Sequence, residues 1–332
     1  MKPKLSICIP TYNRAKTLRE ALDSILPQVL ERPDLEIFIS DNASTDDTIK
    51  LVHEYQSLYP IIRYSRNSDN LGFDGNVIAC VENSNGEYIN FFSDDDIALP
   101  GTLERIMKEI ETYSPAILYA NHYGFDNDPL IMTRKSGLPQ KDITFSNGKQ
   151  FFLFCTGGFI SALTIKSLYA KKYTQYIRNN GRGYAHMNYT ARVAINEEGP
   201  FRFIGSMYIA GRRPSVQADW LTYAGINVVL FFQELYSEGL IDLQSMRNTV
   251  NSIIAKDIVR MVLVKKCLGD YKHLETQKEL MLFTFKGYFL FYVLVAPILL
   301  LPVSLIKTPY LMLRFIIKYI RKFCIKVSIT RP

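Results

Sequence analysis

The fold turns on residues 87–100, EYINFFSDDDIALP. A short run rich in aromatic and β-branched residues ends in Ser93, and three adjacent carboxylates follow: Asp94, Asp95 and Asp96. The run reads as a strand buried on both faces, the pattern of a parallel sheet. The acids repel one another, and no lysine or arginine lies among the eight residues before Asp94. A turn needs polar residues but not three like charges in a row. Either water solvates them or a cation sits there.

Working outward, strands and helices alternate. LSICIP (5–10), LEIFIS (35–40), IIRYS (61–65), EYINFF (87–92) and AILYAN (116–121) read as five strands. Between them, Leu18, Leu22, Ile25, Leu26 and Val29 recur at helical spacing within 14–30. A second helix carries Ile49, Leu51 and Val52, with Ser44 or Thr45 as N-cap and Asp46 and Asp47 in its first turn. Residues 74–85 and 101–112 read as further helices, the latter opened by Pro100. This is an α/β pattern, and it predicts a mostly parallel sheet with helices on both faces, binding ligands beyond the carboxyl ends of its strands. The unusual polar residues all fall at that edge: Thr11, Tyr12, Asn13 and Arg14 after the first strand, Asp41 and Asn42 after the second, Ser93 to Asp96 after the fourth.

Clustered carboxylates beside Ser and Asn suit a hard divalent cation, Mg2+ or Mn2+, which commonly bridges protein carboxylates to phosphate oxygens. Neither GxxxxGK[ST] nor GxGxxG occurs, which argues against P-loop and dinucleotide sites. The middle of the chain is less regular. CTGGFISALTIKS (155–167) is apolar with two glycines, a sign of close backbone approach or a tight turn. Residues 179–194 read as a loop entering a helix, 201–215 as a strand with its exit loop, and 221–283 as mostly helical.

Charge is uneven. The 332 residues carry a net +7, and residues 307–332 alone hold seven basic and no acidic residues. A nucleic-acid protein spreads basic residues over a folded face, whereas a basic tail suits an anionic membrane surface, so no nucleic-acid partner is expected. Residues 287–306 are twenty uncharged residues, about a bilayer's span, but contain Pro297 and Pro302. A single crossing would put the more basic flank outside, against the positive-inside tendency. The expectation is an interface-lying or re-entrant segment, a true span being the alternative, followed by a basic amphipathic helix over 309–327. The five cysteines are scattered without metal or disulfide spacing, which points to reduced, cytosolic thiols.

SICIPTYNRAKTLREALDSIL, IFISDNASTDDT and NLGFDGNVIACVENSNGEYINFFSDDDIALPGTL, in this order over about residues 4–115, resemble the nucleotide-sugar domain of family 2 glycosyltransferases with the GT-A fold. SDNASTD, NLGFDGN and YAH are similar to the abequosyltransferase-like branch, which builds bacterial surface polysaccharide such as O-antigen or capsule. The resemblance implies that Pro10, Thr11 and Tyr12 lie along the base and ribose and that Asp41 bonds the base. It implies that Asn70, Gly72 and Asn76 shape the nucleotide pocket, and that Ser93, Asp94 and Asp95 match the ribose and metal motif, with Asp96 ranked close behind Asp94 and Asp95. Many relatives carry an acid where this chain has Phe92, so Asp94-x-Asp96 is the only literal DxD. The family's acidic base motif is replaced by GYAHMNY. His186 is the candidate base, with metal ligation, acceptor holding or a purely structural role as alternatives, and Asp219 or Glu197 as substitutes. Arg212 and Arg213 would clamp the diphosphate.

The expected organisation is a catalytic domain over 1–220 (nucleotide-sugar half 1–121, acceptor half 122–220), a helical region over 221–283 and a membrane-associating segment over 284–332. The expected function is inverting, metal-dependent transfer from a nucleotide-sugar donor to a lipid-linked saccharide at the cytoplasmic membrane face, peripheral or monotopic, with self-association as a homo-oligomer left open. A bare polyprenyl phosphate is the alternative acceptor. A nucleotidyltransferase would need a glycine-rich loop that PTYNRAKTL lacks, and an inactive saccharide-binding scaffold sits poorly with an intact Asp41, Asp94 and Asp95.

Overall fold

The alternation of buried strand and amphipathic helix carries into the computed structural model, which describes residues 2–29, 32–180, 183–213, 221–268 and 271–312. Contacts divide the chain into Met1–Val216 and Gln217–Pro332. The first unit opens with β1 (Leu5–Thr11), α1 (Ala15–Ile25), β2 (Leu35–Asp41), α2 (Thr48–Leu58), β3 (Ile62–Arg66), α3 (Gly72–Asn83) and β4 (Tyr88–Phe91). These strands lie in the order β3-β2-β1-β4, all parallel. All of β2, and all of β1 except Pro10, is buried, which is why both read as near-continuous apolar runs. Helix α1 buries Leu18, Ala21, Leu22 and Ile25, one stripe at three- and four-residue spacing. Each large member of that stripe contributes about 1.5–3 kcal/mol.

Register fixes the edge. Thr11 pairs with Asp41, Asp41 with Arg66, and Cys8 with Phe91. The Phe92 N–H donates to the Cys8 carbonyl at 2.9 Å, continuing the β1–β4 pairing, so the acid run emerges beside Thr11. The start of α2 differs from expectation: the helix begins at Thr48 with Asp47 as its cap residue, so Asp46 and Asp47 precede its first turn instead of lying in it. Asp46 accepts from the Thr48 N–H at 3.1 Å, while the Ser44 hydroxyl accepts from the Asn13 N–H at 2.9 Å and ties the β1 and β2 exit loops together.

The unit continues with β5 (Ile97–Ala98), α4 (Thr102–Tyr113), β6 (Ile117–Phe125), β7 (Arg134–Lys135), β8 (Ile143–Phe145), α5 (Gly148–Cys155), β9 (Leu163–Lys166), α6 (Ser167–Asn180), α7 (Ala185–Asn196) and β10 (Phe201–Arg212). The sheet extends as β4-β9-β6-β10-β5. Here it departs from the mostly parallel expectation. β9 inserts between β4 and β6 antiparallel to both, β5 is antiparallel to β10, and only β6–β10 is parallel. α3, α6 and α7 pack on one another, and α5 packs on α7.

The paired glycines before β9 act as the sequence suggests. Gly157 has φ +69°, and a Cβ there would lie 2.4 Å from Thr190 Oγ1 on α7, whereas at Gly158 the nearest atom would be 3.6 Å away. Gly157→Ala is expected to cost about 1–3 kcal/mol through strain and overpacking. Gly158→Ala is expected to melt like the wild type in the same thermal scan. Equal melting temperatures for the two variants would contradict this packing.

Within the second unit lie α8 (Val228–Ser237), α9 (Leu243–Ile253), α10 (Val259–Leu268), α11 (Tyr271–Thr284), α12 (Phe289–Leu294) and α13 (Ala296–Leu300). The apolar run 287–306 is broken: Pro297 opens α13 and Pro302 follows its end. Among the described residues no helix is long and apolar enough to cross a membrane. Residues 313–327 of the expected basic helix lie outside the described residues. Cys8, Cys80, Cys155 and Cys267 are buried and free.

Candidate functional site

The acid run meets its cation from another loop. Arg14, three residues past β1, places Nη1 2.9 Å from Asp94 Oδ1 and 2.8 Å from Asp95 Oδ2. Thr11 Oγ1 donates to the other oxygen of Asp94 at 2.8 Å, and Ser93 Oγ donates to Asp95 Oδ1 at 2.6 Å. Asp94 is buried, and burial pushes its carboxyl up to about 6 against the opposing pull of Arg14. Asp96 differs from its neighbours. Ser161 Oγ donates to Oδ2 at 2.5 Å and the Arg212 N–H to Oδ1 at 2.9 Å, so both oxygens are engaged in a buried latch between the β4 exit, the turn before β9 and the end of β10. Burial, then the charge of Asp95, raises its proton affinity. Phe92, two residues before Asp94, is 1% exposed and belongs to the core.

Arg212 closes this side. Its Nε donates to the Asp95 carbonyl at 3.1 Å, its guanidinium pairs with Glu20 on α1, and it lies over the Phe125 ring at 4.7 Å. Arg213 does not join it: that guanidinium grips Asp126 through two bonds of 2.5 and 2.6 Å.

A second network lines the β2 end. Asp41 is fully buried, accepting from the Ser44 N–H at 2.8 Å and the Tyr64 hydroxyl at 2.7 Å, with Arg66 Nε at 3.5 Å. Asn76 sends Nδ2 to the carbonyls of Ser40 (3.0 Å) and Thr11 (3.3 Å), stitching β2 to β1. Asn42 donates to Asn70 Oδ1 at 2.7 Å and to the Gly72 carbonyl at 3.1 Å, holding the turn in which Gly72 takes φ +71°. Tyr12 is 42% exposed at the same edge, and Pro10 is half-buried.

The turn reaches the second half of the unit through Asp74. Its two oxygens accept from the N–H groups of Gly183 (2.6 Å) and Ala185 (2.7 Å), capping α7 from another helix. That cap fixes His186, which is 4% exposed and packs edge-on against Phe73. His186 Nδ1 has no hydrogen-bond partner. Burial pushes the imidazole down to about 4, the Gly158 backbone opposing. The folded pKa lies below the unfolded value near 6.5, so its contribution to stability is present above 6.5 and lost as pH falls through about 4. Wild type is expected to lose about 3 kcal/mol more than His186→Asn between those pH values. Parallel acid-denaturation curves for the two would contradict this. Glu197, the substitute base, is engaged with Lys172 and Tyr173, and Asp219 lies outside the described residues.

Sequence reading missed Arg14 as the counter-ion, Ser161, Tyr64 and Asp74. Asp74 had a signal, as an acid in the first turn of a helix, but its partners lie more than a hundred residues away. As for a metal, among the described residues no three His, Cys, Asp or Glu side chains gather as a ready ion cage. The donor set still fits a hard cation that keeps waters and phosphate oxygens: Asp95 retains exposure, Asp94 shares the Arg14 guanidinium with it, and the Ser93 hydroxyl adjoins Asp95. All three acids have both oxygens hydrogen-bonded, so exposure separates them: Asp94 and Asp96 are buried, Asp96 the more deeply, and Asp95 alone keeps an accessible side chain.

Residues 6–168 match the family described as "Glycosyl transferase family 2". They form a family 2 glycosyltransferase domain. The chain is 42% identical over 116 residues to an abequosyltransferase, RfbV, of Salmonella typhimurium, covering 34% of each chain. It is 38% identical over 108 residues to the GalNAc(5)-diNAcBac-PP-undecaprenol beta-1,3-glucosyltransferase of Campylobacter jejuni, covering 32% of this chain and 34% of that one. The match thus spans about a third of these curated relatives. Staphylococcus aureus TarS 1–349 in complex with UDP-GlcNAc shares the architecture, with a TM-score of 0.62 at 16% identity over 82% of this chain and 78% of that one. The family 2 domain thus has the GT-A fold, with a mixed sheet.

Proposed function

We propose that this chain transfers a glycosyl group, with inversion, from a nucleotide-sugar donor to a lipid-linked saccharide in bacterial surface-polysaccharide synthesis. The observation that carries this reading is the meeting of Thr11, Arg14, Asp94 and Asp95 at one sheet edge within a family 2 domain. The name of the Campylobacter relative, which contains a saccharide on undecaprenyl diphosphate, supports the acceptor class.

Pro10, Thr11 and Tyr12, with Asp41, Asn70, Gly72 and Asn76, hold the nucleoside. Asp95 and Asp94 hold Mg2+ or Mn2+, which when bound neutralises the diphosphate leaving group. Asp96 and Arg212 keep Asp95 in place through the latch described above. Arg213, bound to Asp126, takes no part in the resting arrangement. In residues 122–220, the acceptor half, His186 Nδ1 takes the proton of the attacking hydroxyl. Burial keeps the imidazole neutral throughout the physiological range, but a pKa of about 4 makes it a weak base there, so the transfer needs the acceptor to reach and polarise the buried Nδ1. Beyond the catalytic unit, Phe289 (81% exposed), Leu300 (64%) and Leu305 (61%) present an apolar surface that, with the basic tail, rests on the cytoplasmic membrane face as a peripheral element.

A screen of UDP-, GDP-, CDP- and dTDP-sugars with Mn2+ and a saccharide-diphosphate lipid tests the reading by acceptor-dependent nucleotide release. Release with at least one donor supports it. Metal-dependent nucleotide binding without transfer to any such lipid would overturn the acceptor assignment.

A further inference from the structure

The unit from Gln217 carries a cavity of about 410 Å3, within the ~300–1,000 Å3 range of small-ligand pockets. Leu230, Tyr236, Leu243, Met246 and Phe283 give it hydrocarbon and aromatic walls. Gln233, Arg247, Thr284 and Tyr288 break that lining with polar groups. Arg247 stands at the wall, exposed to solvent, and makes no ion pair among the described residues. Thr284 Oγ1, on a further lining residue, is a buried hydroxyl without a hydrogen-bond partner, and the buried Tyr288 hydroxyl stands beside Gln233, which can donate to its oxygen but leaves its O–H without an acceptor. The guanidinium is close enough to the Tyr288 phenol to act on its ionisation.

Buried hydroxyls in native proteins are nearly always paired, and each of these is a donor that needs an acceptor oxygen. Arg247 needs an anion. The rest of the wall needs hydrocarbon. We propose that this cavity binds the phosphate-bearing end of a hydrocarbon chain, the phosphate on Arg247, Thr284 and Tyr288 and the first carbons against Leu230, Leu243 and Phe283. An isoprenyl phosphate carrier and a bilayer phospholipid share this chemistry. Its use in anchoring a lipid-linked acceptor rests on the glycosyltransferase reading, whereas the binding itself does not.

Titration calorimetry on the full chain, with farnesyl phosphate, dodecyl phosphate, farnesol and inorganic phosphate as probes, tests this. The phosphate-ended chains are expected to bind about tenfold or more tighter than farnesol or inorganic phosphate. Arg247→Gln is expected to remove that preference without changing farnesol binding. Leu243→Glu, at an exposed first-turn position where a helix tolerates an acid, is expected to weaken all the hydrocarbon probes. A preference for farnesyl over dodecyl phosphate identifies the carrier. Equal binding of the two, with Arg247-dependent flotation on phosphatidylglycerol vesicles, identifies the bilayer. No Arg247-dependent preference for phosphate-ended chains overturns the proposal. Nucleotide binding, measured on the same samples, separates that failure from failure of the glycosyltransferase reading.

Discussion

Asp95→Ala is expected to cut sugar transfer about a thousandfold, the scale of losing one preorganised electrostatic contact to a developing charge. Its effect on stability is expected to stay within about 1 kcal/mol, because the pair it breaks is partly exposed and screened. Arg14 keeps Asp94 as a partner, and removing the charge of Asp95 relieves the repulsion that raises the proton affinity of Asp94 and Asp96. Asp96→Ala is expected to behave in the opposite sense. It strips acceptors from Ser161 and the Arg212 N–H in a buried setting, at about 1–3 kcal/mol, so loss of fold precedes loss of chemistry. Asp96→Asn keeps an acceptor and is expected to retain most of both. Initial rates at saturating Mn2+ alongside thermal scans check the contrast. Full activity in Asp95→Ala, with Asp96→Asn inactive yet folded, would reverse the assignment of the two acids.

Asp74→Ala is expected to lower stability by about 2–4 kcal/mol, since two backbone N–H groups at the start of α7 lose their acceptor together. For a unit of this size that is a melting shift on the order of 10 °C. Asp74→Asn, which keeps one acceptor oxygen, is expected to lose about half as much. Turnover in Asp74→Asn is expected to fall about a hundredfold through displacement of His186, the scale of a misplacement near 1 Å. The donor KM is expected to stay near the wild-type value, because the Asn42–Asn70–Gly72 bonds do not pass through Asp74. A variant that melts and turns over like wild type would show that the cap does not hold α7.

The parallel half of the sheet was legible in the sequence because strands buried on both faces leave continuous apolar runs, and because Thr11 and Asp41 end two of them and Asp94 follows a third by three residues. The antiparallel insertion was not. β9 is four residues inside an apolar, glycine-punctuated stretch, too short to show alternation. With β9 unread, Ser161 had no place at the edge, and the latch on Asp96 was invisible. Arg14 was visible as an edge residue, but its pairing with Asp94 spans eighty positions that no local pattern encodes. The cap of α2 was misread by two or three positions because Ser44, Thr45, Asp46 and Asp47 are all competent caps and the helix starts only after Asp47. Asp46 alone bonds the Thr48 N–H, while Ser44 serves the Asn13 loop. The twenty apolar residues at 287–306 suggested a span by length alone, and Pro297 and Pro302 divide them into short helical pieces.

The central claim is that the edge at Asp94 and Asp95 binds the diphosphate of a nucleotide sugar through a divalent ion. Calorimetric titration of UDP, GDP, CDP and dTDP into the full chain, with and without Mn2+, in wild type and Asp95→Ala, tests it most directly. The account predicts that one nucleotide binds wild type only with Mn2+ present and that Asp95→Ala abolishes this binding while keeping the wild-type fold. Equal affinity with and without Mn2+, or unchanged binding by a folded Asp95→Ala, would contradict it.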